Sequence, residues 1–217
     1  MSVSRQPVSE KLLLDGPAGK LEALLEVPAD VADGEREPRQ VALVCHPHPL
    51  HQGTMHNKVA HMLARSFVQL GAPALRFNFR GVGKSEGAHD NGIGEVDDAA
   101  AAMRFLVSRW PRAEKWLGGF SFGSQVSLSF EQRETIDWLV TVAPPIDRLD
   151  LENFPMPQCP WLVVQGEQDE LFDARQVESW VKGLEPPPAF EMFAEADHFF
   201  HGKLNSLREA IVTHAPA

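Results

Sequence analysis

The chain has 217 residues, of which 43% are apolar and 23% are charged, and its formal net charge is -10. This size and composition are ordinary for a globular protein with a sizeable core, so we expect one domain over residues 1–217. The acidic balance argues against nucleic acid or a membrane as a partner, because both need a basic face. With two cysteines, no signal-like segment and no apolar run of membrane-spanning length, we expect a cytoplasmic protein.

Apolar runs alternate along the chain with segments of helical periodicity. The polar segment at 29–40 predicts a surface loop between early strands. The elements predicted after it are strands at 41–45, 73–79, 115–120, 137–143, 160–166 and 189–193, and helices at 57–70, 95–110, 123–130 and about 203–214. Buried strands that alternate with amphipathic helices predict an α/β fold, with a mostly parallel central sheet flanked by helices on both faces. Such sheets bind ligands at the carboxyl ends of their strands.

Four histidines follow the first of these strands, in the segment VALVCHPHPLHQGTMHN at 41–57. Their spacing differs at one position from the H-x-H-x-D-H motif of binuclear zinc hydrolases. Leu50 stands where that motif has a ligating aspartate, and Pro47 and Pro49 stiffen the turn that would have to wrap the ion. We therefore expect no metal, and two interpretations remain: histidines on a surface loop, or a turn whose backbone has the functional role.

The segment RGVGKSEG at 80–87 resembles the end of a phosphate-binding loop, G-x-x-x-x-G-K-[ST]. Asn78 stands where the first glycine is required. The chain then continues with turn residues, whereas a phosphate site needs a helix that begins at the Lys-Ser pair. We predict a glycine-rich turn that leaves a strand, and we expect no cofactor.

The segment GFSFG at 119–123 lies between a predicted strand and a predicted helix. In that context G-x-S-x-G forms a sharp turn whose strained serine exposes its Oγ above the sheet. Gly119 and Gly123 lack a Cβ and let the strand and the helix approach each other. A chance glycine-serine-glycine turn is the alternative interpretation.

A serine nucleophile at position 121 needs a base, and the base needs an orienting acid. Asp169 and His198 each follow a predicted strand, and the chain order Ser121, Asp169, His198 is the one expected of this architecture. Asp147 is an alternative acid after the preceding strand, and Glu167 and Glu170 are weaker ones. We favour Asp169 because it follows the next apolar strand directly.

Together these motifs resemble those of the α/β-hydrolases, and more narrowly the small bacterial hydrolases with H-P-H-P, R-G-x-G-x-S-x-G and G-x-S-x-G motifs. The similarity runs from about residue 10 to 215. It implies an α/β-hydrolase fold in which Ser121 is the nucleophile, His198 the general base and acid, and Asp169 the acid that orients the imidazole.

The same resemblance implies an oxyanion hole made of two backbone amides. One is the amide of Phe122, directly after the nucleophile. The other comes from the histidine-rich turn, where the prolines have no amide proton, which leaves His48 or Leu50. We favour His48, by analogy with the position two residues after the first histidine of the turn.

Many relatives insert a helical lid where this chain has 16 residues with four prolines, at 144–159. We therefore expect no lid domain and an open cleft, with Leu50, His51 and Phe199 as substrate-binding walls and Phe122 and Phe200 as further candidates. A place in the core is the alternative for the three phenylalanines. Such a cleft suits small or short-chain carboxylic esters, hydrolysed through an acyl-enzyme. The alternatives are an acyltransferase, lactonase or peptidase on the same triad, and a non-catalytic binding protein on the same fold. The expected partner is a small-molecule ester, and the oligomeric state stays open.

Overall fold

A computed structural model describes residues 5–216. Its strands are β1 (Val8–Gly16), β2 (Gly19–Val27), β3 (Gln40–Cys45), β4 (Ala74–Phe77), β5 (Glu114–Phe120), β6 (Trp138–Val142), β7 (Trp161–Gly166) and β8 (Ala189–Phe193). Its helices are α1 (Ala29–Ala32), α2 (Lys58–Gln69), α3 (Ile93–Arg109), α4 (Phe122–Glu131), α5 (Ala174–Gly183) and α6 (Leu204–Thr213), with 3-10 turns at Pro49–His51 and Ile146–Arg148. None of these helices is long and apolar enough to cross a membrane.

The strands form one sheet in the order β1-β2-β4-β3-β5-β6-β7-β8. β1 and β2 pair antiparallel, β2 pairs antiparallel with β4, and the six strands from β4 to β8 are parallel. This confirms the predicted, mostly parallel sheet. The chain places β4 on one side of β3 and then β5 on the other side of β3, so the winding direction reverses between β3 and β5. Ligand clefts of open α/β sheets lie at such a reversal, outside the carboxyl ends of the strands.

Both faces of the sheet are buried at the central strands β4, β3, β5, β6 and β7, which explains why these parallel strands are continuous apolar runs. Neighbouring residues of a strand point to opposite faces, so Leu43 and Val44 belong to two different core clusters. The cluster of Leu43 includes residues of α3, α4 and α5, and that of Val44 includes residues of α2 and α6. The helices thereby hold the strand ends in a fixed arrangement.

The structure differs from the sequence-based prediction in three places. The segment 29–40 begins with the helical turn α1 and is not loop throughout, because Val31 is buried against the core. β4 ends at Phe77, two residues early, because the amide of Phe79 bonds a side chain instead of the next strand. The short helix α5 was not predicted, since it is polar and buries only three residues, Ala174, Val177 and Val181.

The connection between β6 and β7 determines how the carboxyl edge of the sheet is covered. It spans residues 143–160 and contains the 3-10 turn Ile146–Arg148. A segment of this length has no room for a helical lid domain, as predicted. Within the described part of the chain, no separate lid therefore covers the edge of the sheet above β5.

Candidate active site

Ser121 occupies a sharp turn between β5 and α4. Its φ of 54° and ψ of -119° form a strained conformation for a residue with a Cβ. The surroundings hold this turn in place, since the Ser121 amide donates to the carbonyl of Val142 at 2.8 Å. The hydroxyl of Ser124 also lies 2.9 Å from the carbonyl oxygens of Gly119 and Val142. The predicted strand-turn-helix is therefore present, and it is anchored to the neighbouring strand.

The two glycines that flank this turn lie at very close backbone contacts. A Cβ at Gly119 would overlap the carbonyl of Gly123, and a Cβ at Gly123 would overlap the carbonyls of Cys45 and His46. The close approach predicted from the glycines is confirmed. It brings the N-terminus of α4, and with it the amide of Phe122, against the end of β3.

His198 and Asp169 are joined by a hydrogen bond of 2.8 Å between Nδ1 and Oδ2, and both side chains are almost completely buried. Burial alone would raise the pKa of the Asp169 carboxyl group. The hydrogen bond and charge of His198, with the amides of Phe172 and Leu171, outweigh that effect, so the pKa is lowered overall. An ionised carboxylate only accepts, so Nδ1 carries the proton and Nε2 is free to accept one. The alternative acid, Asp147, is exposed and forms no hydrogen bond with His198 among the described residues.

The ring of His198 lies beside the serine turn. It packs on Phe120 and Phe172, with ring centroids 5.0 Å and 5.4 Å away. Phe172 in turn lines the same cavity as Ser121. Oγ of Ser121 and Nε2 of His198 form no hydrogen bond in the described structure, a bond that often tightens only when substrate binds. The structure thus joins His198 and Asp169 by a hydrogen bond, and it places Ser121 at the cavity beside them.

His46, the first histidine of the turn after β3, is fully buried and uses both ring nitrogens. Nδ1 donates to the carbonyl of Pro47 at 2.6 Å, and Nε2 accepts from the amide of Phe79 at 3.1 Å. Burial lowers its pKa to about 4, so the ring is neutral. His46 therefore braces the end of β3 against the segment after β4, and it is not a surface histidine. Within residues 5–216, no group of three or more His, Cys, Asp or Glu side chains is arranged to hold a metal ion.

The hydrogen bonds of this turn distinguish between His48 and Leu50, the two candidates for the second oxyanion amide. The amide of Leu50 donates to Nδ1 of His48 at 3.2 Å, so it is occupied. The carbonyl of Pro47, which shares a peptide group with the His48 amide, accepts from Nδ1 of His46 at 2.6 Å. The carbonyl of His48 accepts from the amides of His51 and Gly53, each at 3.0 Å, so the peptide groups on both sides of His48 are held in place. The amides of His48 and Phe122 have no acceptor among the described residues. This geometry favours His48 over Leu50 as the second oxyanion donor.

A cavity of about 190 Å³ opens at Ser121. Its walls are His48, His51, Ser121, Phe122, Pro145, Arg148, Leu171 and Phe172. Of the predicted walls, His51 and Phe122 line the cavity, whereas Leu50, Phe199 and the fully buried Phe200 do not. Leu50 is 70% exposed, and Phe199 packs outside the cavity on Phe120 and His198. A wider groove of about 810 Å³, which includes residues of α2, contains none of these side chains.

Comparison with known proteins identifies the family of this chain. The family model described as "Alpha/beta hydrolase domain" matches residues 44–212. The chain belongs to the alpha/beta hydrolase family. The family resemblance seen in the sequence is therefore confirmed.

Three relatives cover nearly all of this alpha/beta hydrolase. An alpha-beta serine hydrolase homologue from Coxiella burnetii is 41% identical, with a TM-score of 0.89 over 95% of this chain and 97% of that one. The serine hydrolase XC6422 of Xanthomonas campestris, described as without a lid, is 40% identical, with a TM-score of 0.88 over 95% of this chain and 93% of that one. The uncharacterized protein RP471 of Rickettsia prowazekii is 34% identical over 93% of this chain and 86% of its own length.

Two further side chains of this alpha/beta hydrolase support the His198–Asp169 pair. Gln165, fully buried in β7, donates from Nε2 to Oδ2 of Asp169 at 2.9 Å. Glu170 accepts the backbone amide of His198 at 3.1 Å. Sequence reasoning did not single out Gln165, although a polar residue inside the apolar run WLVVQG is a signal that could have identified it.

Proposed function

We propose that this alpha/beta hydrolase is a serine hydrolase that cleaves small or short-chain carboxylic esters, with Ser121, His198 and Asp169 as its catalytic triad. The observation that carries the proposal is the buried hydrogen bond between Nδ1 of His198 and the ionised Asp169, beside the strained serine turn. The two relatives at about 40% identity, each described as a serine hydrolase or its homologue, support the same chemistry.

In this mechanism Nε2 of His198 takes the proton of Ser121, and Oγ attacks the ester carbonyl. The amides of Phe122 and His48 donate to the oxyanion, where the loss of one donor in comparable enzymes costs about 3 kcal/mol of barrier. His198 then protonates the departing alcohol, and a water molecule, deprotonated by His198, hydrolyses the acyl-enzyme. Asp169 keeps the imidazole in the tautomer that can accept the proton and stabilises the imidazolium.

The cavity supports small acyl groups. At about 190 Å³ it is smaller than the pockets of roughly 300 Å³ and more that hold drug-sized ligands. Phe122, Leu171, Phe172 and Pro145 provide apolar walls. A long acyl chain would extend beyond this cavity into solvent, since no lid covers it.

A test combines a fluorophosphonate probe with hydrolysis of p-nitrophenyl acetate, each with and without EDTA. We expect the probe to label Ser121, and Ser121→Ala to lose labelling and at least about 10³-fold in kcat. Ser179→Ala, which changes an exposed serine of α5, is the matched control, and we expect it to keep both the probe labelling and the kcat of wild type. Labelling at another residue, full activity of Ser121→Ala, or loss of activity in EDTA would each contradict the proposal.

A panel of substrates separates the alternatives that the same triad supports. Lactones, peptide anilides and esters offered with a competing alcohol test for a lactonase, a peptidase and an acyltransferase. We expect the highest kcat/KM on short-chain esters with water as the acceptor. A non-catalytic binding protein would neither be labelled nor turn over any of these compounds.

A further inference from the structure

We infer that the cleft binds a carboxylate through Arg148, so that the preferred esters are half-esters of short dicarboxylic acids. The inference deepens the proposed function and rests on it. It starts from a side chain that the hydrolytic mechanism does not use. Arg148 lines the same cavity as Ser121, at the end of the 3-10 turn Ile146–Arg148.

The guanidinium group of Arg148 is available to a ligand. The residue is exposed, and its side chain forms no hydrogen bond or ion pair with any residue within 5–216. Arg80, near the end of β4, is a contrasting case, because it is paired with the buried Asp98. A cation in a cleft that no carboxylate of the described residues neutralises is suited to an anionic ligand.

The charge balance of the cleft is opposite to that of the molecule. The chain carries 30 acidic and 20 basic residues, yet none of the described residues that line this cavity is acidic. Among those lining residues, Arg148 has the single permanently charged side chain. The positive charge of Arg148 acts on its neighbours in the cleft. The pKa of His48 is lowered to about 4, mainly by burial and next by the charge of Arg148. His48 therefore stays neutral near pH 7 and does not compete for the anion.

The backbone holds Arg148 in place while its side chain is free. The amide of Arg148 donates to the carbonyl of Pro145 at 3.0 Å, and the amide of Leu149 donates to the carbonyl of Ile146 at 3.2 Å. The side chain of Ile146 is buried in the core, and Pro144 and Pro145 restrict the approach to the turn. A preorganised backbone lowers the ordering cost when the guanidinium binds.

The chemistry of the walls selects the ligand. A planar guanidinium binds a carboxylate through two parallel N–H···O bonds. Phe122, Leu171 and Phe172 offer apolar contacts to the methylene groups between such a carboxylate and the scissile ester. A half-ester places its acyl carbonyl at Ser121 and its free carboxylate at Arg148.

The test compares two substrates of the same shape, monoethyl succinate and ethyl levulinate, in which an acetyl group replaces the carboxylate. The readout is the ratio of their kcat/KM values, measured as acid release at constant pH, with glutarate and adipate half-esters to vary the spacing. We expect wild type to prefer the half-ester and Arg148→Gln to lower the ratio by about tenfold. Arg148→Lys should retain part of the preference, and added salt should reduce it.

Arg112→Gln is the matched control, because Arg112 is exposed, unpaired among the described residues, and lies before β5 at the opposite edge of the sheet. It should leave the ratio unchanged. A wild-type enzyme that hydrolyses both esters, with a ratio that Arg148→Gln does not alter, would overturn the inference and leave the proposed function intact.

If Ser121 is not labelled and neither ester is hydrolysed, the proposed function fails instead. Calorimetry with monoethyl succinate then tests the carboxylate site directly. Binding that Arg148→Gln abolishes would support the site, and the absence of binding would overturn it as well.

Discussion

At the scale of single residues, the role of a histidine in this protein follows from what its nitrogens contact. His46 uses both ring nitrogens and only holds two strand ends together. His198 uses Nδ1 on Asp169 and keeps Nε2 available, which is what a general base needs. His48 contributes a backbone amide that has no acceptor among residues 5–216. Three histidines of one chain therefore differ in which of their nitrogens are free: no ring nitrogen of His46, Nε2 of His198 and the backbone amide of His48.

The His198–Asp169 bond leads to a prediction about the acid. We expect Asp169→Asn to lower kcat by about 10³- to 10⁴-fold, as the equivalent change does in serine proteases. The asparagine NH2 group can donate to Nδ1, which favours the tautomer that has its proton on Nε2 and cannot accept one from serine. Steady-state kinetics on a short-chain ester measure the effect. Asp147→Asn is the control, and a larger loss in that variant would assign the acid to the other loop.

At the scale of elements, the site depends on how closely α4 approaches the end of β3. The carbonyls of Cys45 and His46 lie where a Cβ of Gly123 would be. This contact places the amides of Phe122 and His48 on neighbouring elements that cannot move apart independently. The strained backbone of Ser121 persists because the same packing holds it.

Gly123→Ala tests this packing. The added methyl group has to push β3 and α4 apart, so we expect a loss of about 1–3 kcal/mol in the free energy of unfolding. We also expect a fall in kcat larger than the change in folded population explains, because the oxyanion amides are displaced. Urea unfolding and kinetics of the same sample separate the two effects. Gly183→Ala, where a Cβ meets nothing within 4 Å, should be neutral or slightly stabilising, and equal effects of both changes would refute this account.

At the scale of the whole molecule, a sheet buried on both faces encloses polar groups that must keep one protonation state. His46 is neutral in the folded protein because burial lowers its pKa from 6.5 to about 4. In the unfolded chain the same ring binds a proton below its ordinary pKa. The unfolded state thus binds more protons between these two values, and stability must fall as the pH falls through that interval.

We therefore expect the free energy of unfolding to decrease by about 3 kcal/mol from His46 alone between pH 6.5 and 4. His46→Gln can keep an acceptor for the Phe79 amide but cannot titrate, so its stability should depend less on pH in this interval. Urea unfolding at several pH values gives the slopes. His56→Gln, the same change at an exposed histidine, is the control, and a His46→Gln slope equal to that of wild type would contradict the prediction.

Much of the fold was predictable because its signals are local. An apolar run identifies a strand of a sheet covered on both faces even when the neighbouring strands are not known. The strand β8 was predicted with its observed bounds. The helix α5 was missed because three buried residues in a polar segment make a weak periodic signal. The positions of Ser121, Asp169 and His198 after strand ends were also predictable, since a parallel sheet brings those ends to one edge.

The sequence by itself determined the strand-helix alternation, the strained G-x-S-x-G turn and the order of the three candidate catalytic residues, because each depends on neighbouring residues and on chain direction. Only the tertiary structure decided that Gln165 supports Asp169, that His46 spans two strand ends and that Arg148 lines the same cavity as Ser121. The physical reason is that these contacts join distant segments. Their partners depend on strand order and helix packing, which bring together groups that no local pattern relates.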